Sequence, residues 1–508
     1  MAKIFYHAVP GDWRKEQKYA FLEKAVSIAG VKWQKLQPDK KQNWLDMGLR
    51  EEFDDFMPIA SHDAKPSDAI QPIFREHSNG VKTHRDAYAI NFSRKRVAEN
   101  MEAMIEAYNC QVESYHRLKK KPAKIEDFID YKSGKIAWSE MLKKSLERGV
   151  RVEFDEASIR PSYYRPFVST WLYFDSVMNE RRYGFPQIFP TANTKNLSLC
   201  VTDVAGRSPF SVLASDRIVD LHLAASTDTF QCFPLYHYVE DKNKKKFDRR
   251  DNITTKARTL FQIFYDDDTI TQADIFHYVY AVLHHPAYRT RFAENLKRDL
   301  PRIPFVGVAD AHSLAPQSGE RAGVRGKTKN HLTPTLSPNS VGGEGASFFP
   351  LAAVETMQGD AKPAHNPKAS AKLFHAFAAA GQQLADLHVN YESAKEFKLK
   401  RVENQAVKLD WRVEAMKLTK DKSAIVYNDF LTLAGIPPEV FDYKLGNRSA
   451  LEWVIDQYRV TRDAQGNLAS DPNRLDDEEY IVRLIGQVIS VSLETQKLVN
   501  SLPPVMFE

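Results

Sequence analysis

Cysteine is scarce: Cys110, Cys200 and Cys232 are the only three in 508 residues. Odd in number and far apart, they exclude a disulfide framework and a clustered zinc site and fit a reducing compartment. Long apolar runs are missing as well. Nothing approaches the roughly 18 consecutive apolar residues of a membrane-crossing helix. Residues 1–13 lack the basic-then-apolar order of a secretory leader. An excess of one charge is also absent, since 71 Lys and Arg face 66 Asp and Glu for a net +5. That balance excludes a polybasic tail protein, so any surface for a polyanion must be a local patch. The expected location is the cytoplasm, away from membranes.

Catalytic motifs are missing too. The segment GVRGKT at 323–328 imitates a phosphate-binding loop, but Arg321 stands where its first glycine is required. No strand precedes it and no helix follows. Asp130, Tyr131 and Lys132 end like a nuclease metal motif without the acidic strand before it. There is no F-x-G-x-G loop for S-adenosylmethionine, no [ND]-P-P-[YF] tetrapeptide and no nucleophile elbow. Asp266, Asp267 and Asp268 read as a solvated turn before a helix. His277, His284 and His285 cluster on a helix without further ligands at metal spacing. On the residues alone no catalytic or metal-binding group is assigned, and no cofactor is expected in this chain.

What is present is a folded, multi-part chain. Hydrophobic residues make up 43% and aromatics 11%, which separates it from disordered chains. The length exceeds what one core supports, giving two to four domains. Apolar spacing predicts helices over 14–29, 93–115, 271–286, 289–298, 369–390, 449–458 and 478–499, with capping boxes at Thr271/Asp274 and Ser449/Glu452. Strands are expected over 3–9 and 423–427, and an extended pair with a turn over 80–92. The stretch 307–368 is rich in Gly, Pro, Ser, Ala and Thr without a period, and reads as a disordered insertion whose removal leaves folding nearly intact.

The most specific information lies in 158–238. Its first half interleaves arginines with aromatics: Arg160, Tyr163, Tyr164, Arg165, Trp171, Arg181, Arg182 and Tyr183. Its second half alternates apolar and polar residues between turn formers, as short strands do. Directly after it, 241–250 carries Lys242, Lys244, Lys245, Lys246, Arg249 and Arg250. That segment reads either as a flexible surface loop or as a phosphate-contacting one. A small sheet bearing guanidinium and aromatic groups can hold phosphates, read guanine edges and stack on bases. The expected class is therefore mixed α+β: a small β-rich DNA-recognition core with helical flanking and C-terminal parts.

The blocks YYRPF, WLYFD, NERRYGFP, FSVLASDRIVDLHL and QCFPLY, continued by DIFHYVYAVLHHPAYRTRFAENLKRDLPRIP and YNDFLTLAGIPPEVFDYKLGNRSALEWVIDQY, carry a resemblance. They are similar to the C-terminal specificity region of type ISP restriction-modification enzymes, over nearly the whole chain outside the insertion. Whole members of that family join a nuclease, a helicase-like motor, a coupler, an adenine-N6 methyltransferase and a target recognition domain. Set against that plan, this sequence is expected to begin after the methyltransferase catalytic motifs.

The resemblance implies 1–60 as the tail of a methyltransferase-like domain, 61–306 as target recognition domain, 307–368 as insert and 369–508 as a helical C-terminal part. It implies double-stranded DNA as partner. S-adenosylmethionine, ATP and magnesium would belong to parts this polypeptide lacks, which a separately encoded methyltransferase/helicase portion could supply. The expected DNA contacts are Arg160, Tyr163, Arg165, Arg181, Arg182, Tyr183, Lys244, Lys245 and Arg249. Two other readings stay open: a specificity subunit acting in trans, and a protein-interaction scaffold whose basic segment is ordinary surface.

Overall fold

Alternation in FSVLASD and FQCFP does more than form strands, because both faces of those strands are covered. Phe230–Pro234 lies between Ser198–Thr202 and Ser78–Asn79, and Val212–Ser215 completes a four-stranded antiparallel sheet. Cys200, Leu213 and Cys232 point into one core, with Val97, Tyr173, Trp453 and Val488. Leu199, Val201, Val212 and Phe233 point into another, with Phe261, Tyr278, Phe305 and Phe377. A sheet buried on both sides reads as near-continuous apolar sequence, which is what these strands show. Both cores draw residues from either side of 307–368 or from its ends, so 51–508 packs as one body.

The computed structural model describes residues 3–9, 13, 15–37, 44, 48–61, 72–131, 134–204, 206–225, 227–241, 243, 246–309, 346–357, 365–463 and 465–506. The chain divides into two compact units, 1–50 and 51–508. In the first, Ile4–Tyr6 pairs antiparallel with Gln34–Leu36 and the helix Lys15–Ala25 lies between them in sequence. All further description concerns the second unit.

A second four-stranded sheet runs in the order Ile218–Val219, Ile159–Arg165, Val168–Tyr173, Ile90–Asn91. Its central hairpin turns at Pro166 and Phe167, and Phe167 adopts φ of 60°. Proline followed by a left-handed residue is the pattern of a type II turn, where glycine is usual. Phe167 holds the position because its ring is buried against Tyr391 and Tyr443, with centroids at 5.2 and 6.3 Å. The long helix Arg94–Arg117 buries Val97, Met101, Met104, Ile105, Tyr108, Val112 and Tyr115, a stripe of helical period. Gln272–His284 packs along Pro367–Val389, and Tyr480–Asn500 crosses the same region.

Three expectations change. The stretch 307–368 has structured described ends. Phe305–Val308 pairs with Ala346–Phe349, which in turn pairs with Val505–Met506. Val308, Ala346, Leu351 and Val354 are buried, so removing 307–368 would open a core. Residues 310–345 and 358–364, with the GVRGKT segment, lie outside the described residues. The part 369–508 is not purely helical, since Lys400–Glu403, Leu431–Ala434, Ala424–Val426 and Lys417–Leu418 form a four-stranded antiparallel sheet. The helix expected over 289–298 is shorter, Pro286–Arg291.

Among the described residues no helix is long and apolar enough to cross a membrane, and no group of His, Cys, Asp or Glu could hold a metal ion. Lys132 also lies outside them.

Candidate functional site

Arginine in a strand ends up on one of two faces, and burial decides what it can touch. Arg160 is 7% exposed, and its guanidinium donates to the carbonyls of Phe189, at 3.1 Å, and Thr191. Burial lowers its pKa from the usual arginine value. Tyr163 is 2% exposed, and its hydroxyl reaches Asp216 and the carbonyl of Val389 at 3.5 Å. Arg165 pairs with buried Asp220 at 2.8 Å and stacks 4.0 Å from the Tyr164 ring. Burial pushes the Tyr164 hydroxyl up to about 12, where it donates to Asp86. Arg160 and Tyr163 are therefore scaffold, and the expectation that they contact DNA is corrected. Their strand is covered on both faces, so alternation buries Arg160 on one and Tyr163 on the other, and main-chain carbonyls or carboxylates satisfy their polar ends. Arg165 is held by its own scaffold, with only its outer edge accessible.

Arg181 and Tyr183 behave differently. The main chain of Arg181 exchanges two 2.9 Å hydrogen bonds with Lys82, whose neighbour Val81 pairs in turn with Val219 and Leu221. Two cations, Lys82 and Arg181, thus sit side by side at a sheet margin, exposed and without a side-chain partner among the described residues. Arg182 between them and Tyr183 is half-buried, its guanidinium 5.1 Å from the Phe174 ring and its pKa lowered by burial. Tyr183 is 46% exposed with φ of 47°. A bulky residue in left-handed conformation costs of order 1 kcal/mol or more, so such a turn persists only where its surroundings fix it. Gly184 provides that fixation through its amide, which donates to Ser78 Oγ at 2.9 Å.

The segment expected as a loop over 241–250 is instead half of a two-stranded antiparallel ribbon. Tyr236–Asp241 pairs with Lys246–Asp251 from Tyr236↔Asp251 to Asp241↔Lys246. Asn196, itself buried, anchors its base by donating to the Tyr236 carbonyl at 2.7 Å and accepting from its amide at 3.1 Å. Alternation gives the ribbon two unlike faces. One carries Tyr236, Tyr238, Phe247 and Arg249 together with the acids Glu240 and Asp251, and the Arg249 guanidinium lies 4.4 Å from the Tyr236 ring. The other carries Val239, Lys246, Asp248 and Arg250, all exposed, with Asp241 opposite Lys246. His237 lies at its root, where burial lowers its pKa. Lys244 and Lys245 lie outside the described residues.

Together these elements present cations and aromatic rings, with acids between them, on paired backbone. Lys82 was missed in sequence because only backbone pairing brings it to Arg181. The tyrosines of the ribbon were missed because YHYVED and KFDRRD have no register until they are paired. Their alternation was the available signal.

A family model described as the Type ISP C-terminal specificity domain matches residues 72–322 and 368–484. Among solved structures, a nuclease-deletion mutant of the Type ISP restriction-modification enzyme LlaGI, in complex with a DNA substrate mimic, is similar over 100% of this chain and 39% of its own, with TM-score 0.72 and 27% identity. A DrdV–DNA complex is similar over 99% of this chain and 43% of its own, with TM-score 0.72 and 28% identity. The ATP-dependent Type ISP enzyme LlaBIII bound to DNA matches 97% of this chain and 28% of its own at TM-score 0.70; its 24% identity speaks to the fold alone. The chain spans less than half the length of each. No curated protein matched.

Proposed function

The chain belongs to the family of Type ISP C-terminal specificity domains, and from that membership we propose that it selects a sequence in double-stranded DNA for a larger restriction-modification enzyme. The observation that carries this is the ribbon of Tyr236–Asp241 and Lys246–Asp251, whose first strand packs on Phe185–Ile188, the short helix that follows Arg181 and Tyr183 in the chain. A two-stranded ribbon fits the major groove, which is about 12 Å wide. Arg181, Arg249 and Arg250 supply the forked donors that suit guanine edges or phosphates, and Tyr183 and Phe247 supply stacking surface. The LlaGI and DrdV relatives are complexes with DNA or a mimic of it, which supports the same direction.

Restriction, translocation and methylation are in this reading the work of other polypeptide. S-adenosylmethionine, ATP and magnesium would be held there, in the cytoplasm. A second reading is a specificity portion that acts in trans with a separately encoded methyltransferase/helicase portion. Mobility shift of the full chain on random duplex at two salt concentrations tests the first claim. Binding that falls steeply with salt supports phosphate contact, whereas no binding at either concentration favours a protein scaffold. Incubation with labelled S-adenosylmethionine and duplex should transfer no label from the chain alone.

A further inference from the structure

A second arginine cluster lies outside the ribbon and the Lys82–Arg181 margin. A cleft of about 490 Å³ is lined by Arg165, Arg207, Arg448, Asn447, Thr227 and Gln457, among others. Two of its guanidinium groups are braced from behind. Arg165 rests on Asp220 at 2.8 Å and on the Tyr164 ring. Arg448 pairs with Asp456 at 2.6 Å and lies 5.0 Å from the Trp453 ring. Trp453 is itself fixed, donating from Nε1 to the Leu445 carbonyl at 2.9 Å. The third, Arg207, is exposed, and its guanidinium meets no acceptor among the described residues.

The walls are joined by a contact that only glycine allows. Gly446, at φ of 65°, begins the two-residue turn between Lys444–Leu445 and Arg448–Ser449; a Cβ there would lie 2.3 Å from the Ala224 carbonyl oxygen. Its amide donates to Ser211 Oγ at 3.2 Å, and Asn447 Nδ2 donates to Ser208 Oγ at 3.2 Å. The turn thereby holds Asn447 and Arg448 against the segment that carries Arg207. The capping box of Ser449 and Glu452 starts the helix that brings Trp453 beneath Arg448.

Donors exceed acceptors here. The nearby carboxylates are already engaged: Asp220 by Arg165 and the His222 amide, Asp228 by the Ser208 amide and Thr227, Asp456 by Arg448 and Gln457. A guanidinium carries five N–H donors and no acceptor. Arg165 and Arg448 each use one terminal nitrogen in these pairings, and Arg207 uses none. The ligand that fits is small, anionic and rich in acceptors. The cleft also adjoins the proposed DNA surface, since Asp220 under Arg165 pairs with Val81, next to Lys82 and Arg181.

We propose that this cleft holds a phosphate of the DNA backbone, separately from the ribbon, and so fixes the register in which the ribbon reads. The proposal rests on the DNA reading above. Its test is fluorescence anisotropy of the full chain with labelled duplexes of several unrelated sequences, across a salt series, for wild type, Arg207→Ala, Arg207→Lys and the ribbon double variant Arg249→Ala/Arg250→Ala. Arg207→Ala should weaken every duplex alike by roughly tenfold, the size of one charge-assisted contact. It should also make the slope of log K against log salt shallower by about 0.9, while Arg207→Lys keeps the slope.

Wild-type affinity in Arg207→Ala, alongside weakened binding by the ribbon variant, would overturn the cleft and leave the DNA reading standing. Loss confined to particular sequences with an unchanged slope would overturn the phosphate in favour of a base. Failure of the wild type to bind any duplex would overturn both.

Discussion

At the scale of single residues, two arginines from one aromatic-basic stretch have opposite surroundings, Arg165 paired with buried Asp220 and Arg181 exposed. Arg165→Ala leaves buried Asp220 without its cation, and breaking one side of a buried pair typically costs about 3–5 kcal/mol. Urea unfolding should show that loss. Arg181→Ala touches no packed partner and should stay within about 0.5 kcal/mol of wild type. In competition binding, however, it should narrow discrimination between duplexes by about 1–3 kcal/mol if the side chain reads a base. The sequence ranked these residues together because interleaved Arg and Tyr look alike in a strand and in a turn. Arg160 shows why. Its acceptors, the carbonyls of Phe189 and Thr191, stand 29 and 31 residues away. Local pattern does not reveal that distance, whereas Arg181 lies on the bridge to Lys82 and Tyr183 in the turn after it, both with exposed side chains.

At the scale of elements, the ribbon is the feature that changed most between sequence and structure. Charge density made 241–250 read as a loop, yet cross-strand pairing from Tyr236↔Asp251 to Asp241↔Lys246 makes it a ribbon with one aromatic face and one of mixed charge. Replacing 238–249 by Asn-Gly, a favoured two-residue hairpin turn, keeps the Asn196 anchor at Tyr236. That variant should melt within about 3 °C of the parent and lose sequence preference in mobility shifts. Phe167 makes the opposite case. The block YYRPF carries Tyr163 and Arg165, both expected to contact DNA, but its Phe167 adopts φ of 60° and is buried. Phe167→Ala should cost about 3–5 kcal/mol in urea unfolding, because lost burial outweighs any relief of the turn. Long helices were legible because a period of 3.6 is local. Short strands such as Ser78–Asn79 and Ile218–Val219 were not, because their partners are remote in sequence.

At the scale of the whole molecule, His284 and His388 couple the cores to pH. They lie where Gln272–His284, Pro367–Val389 and Tyr480–Asn500 meet, facing Tyr280, Tyr443 and Thr495. Burial lowers His284 to about 3, with the Arg289 charge adding to it, and burial also lowers His388, with the neighbouring His284 adding to it. In the unfolded chain both titrate near 6.5, so below that pH the unfolded state binds more protons and stability falls. Their contribution is complete above about pH 7 and declines by up to about 1.4 kcal/mol per pH unit per histidine as the pH drops from 6.5 to 5. Denaturant midpoints should follow that decline, and His284→Met should flatten it by as much as one proton.

The whole-molecule claim that matters most is that the ribbon and the Lys82–Arg181 margin face a double helix. Hydroxyl-radical footprinting of the full chain, with and without duplex DNA, tests it directly. Oxidation of Tyr183, Tyr236 and Phe247 should drop when duplex is added, while Leu475, 96% exposed elsewhere on the surface, should oxidise as before. Unchanged oxidation of Tyr183 and Phe247 with duplex demonstrably bound would place the DNA on another face.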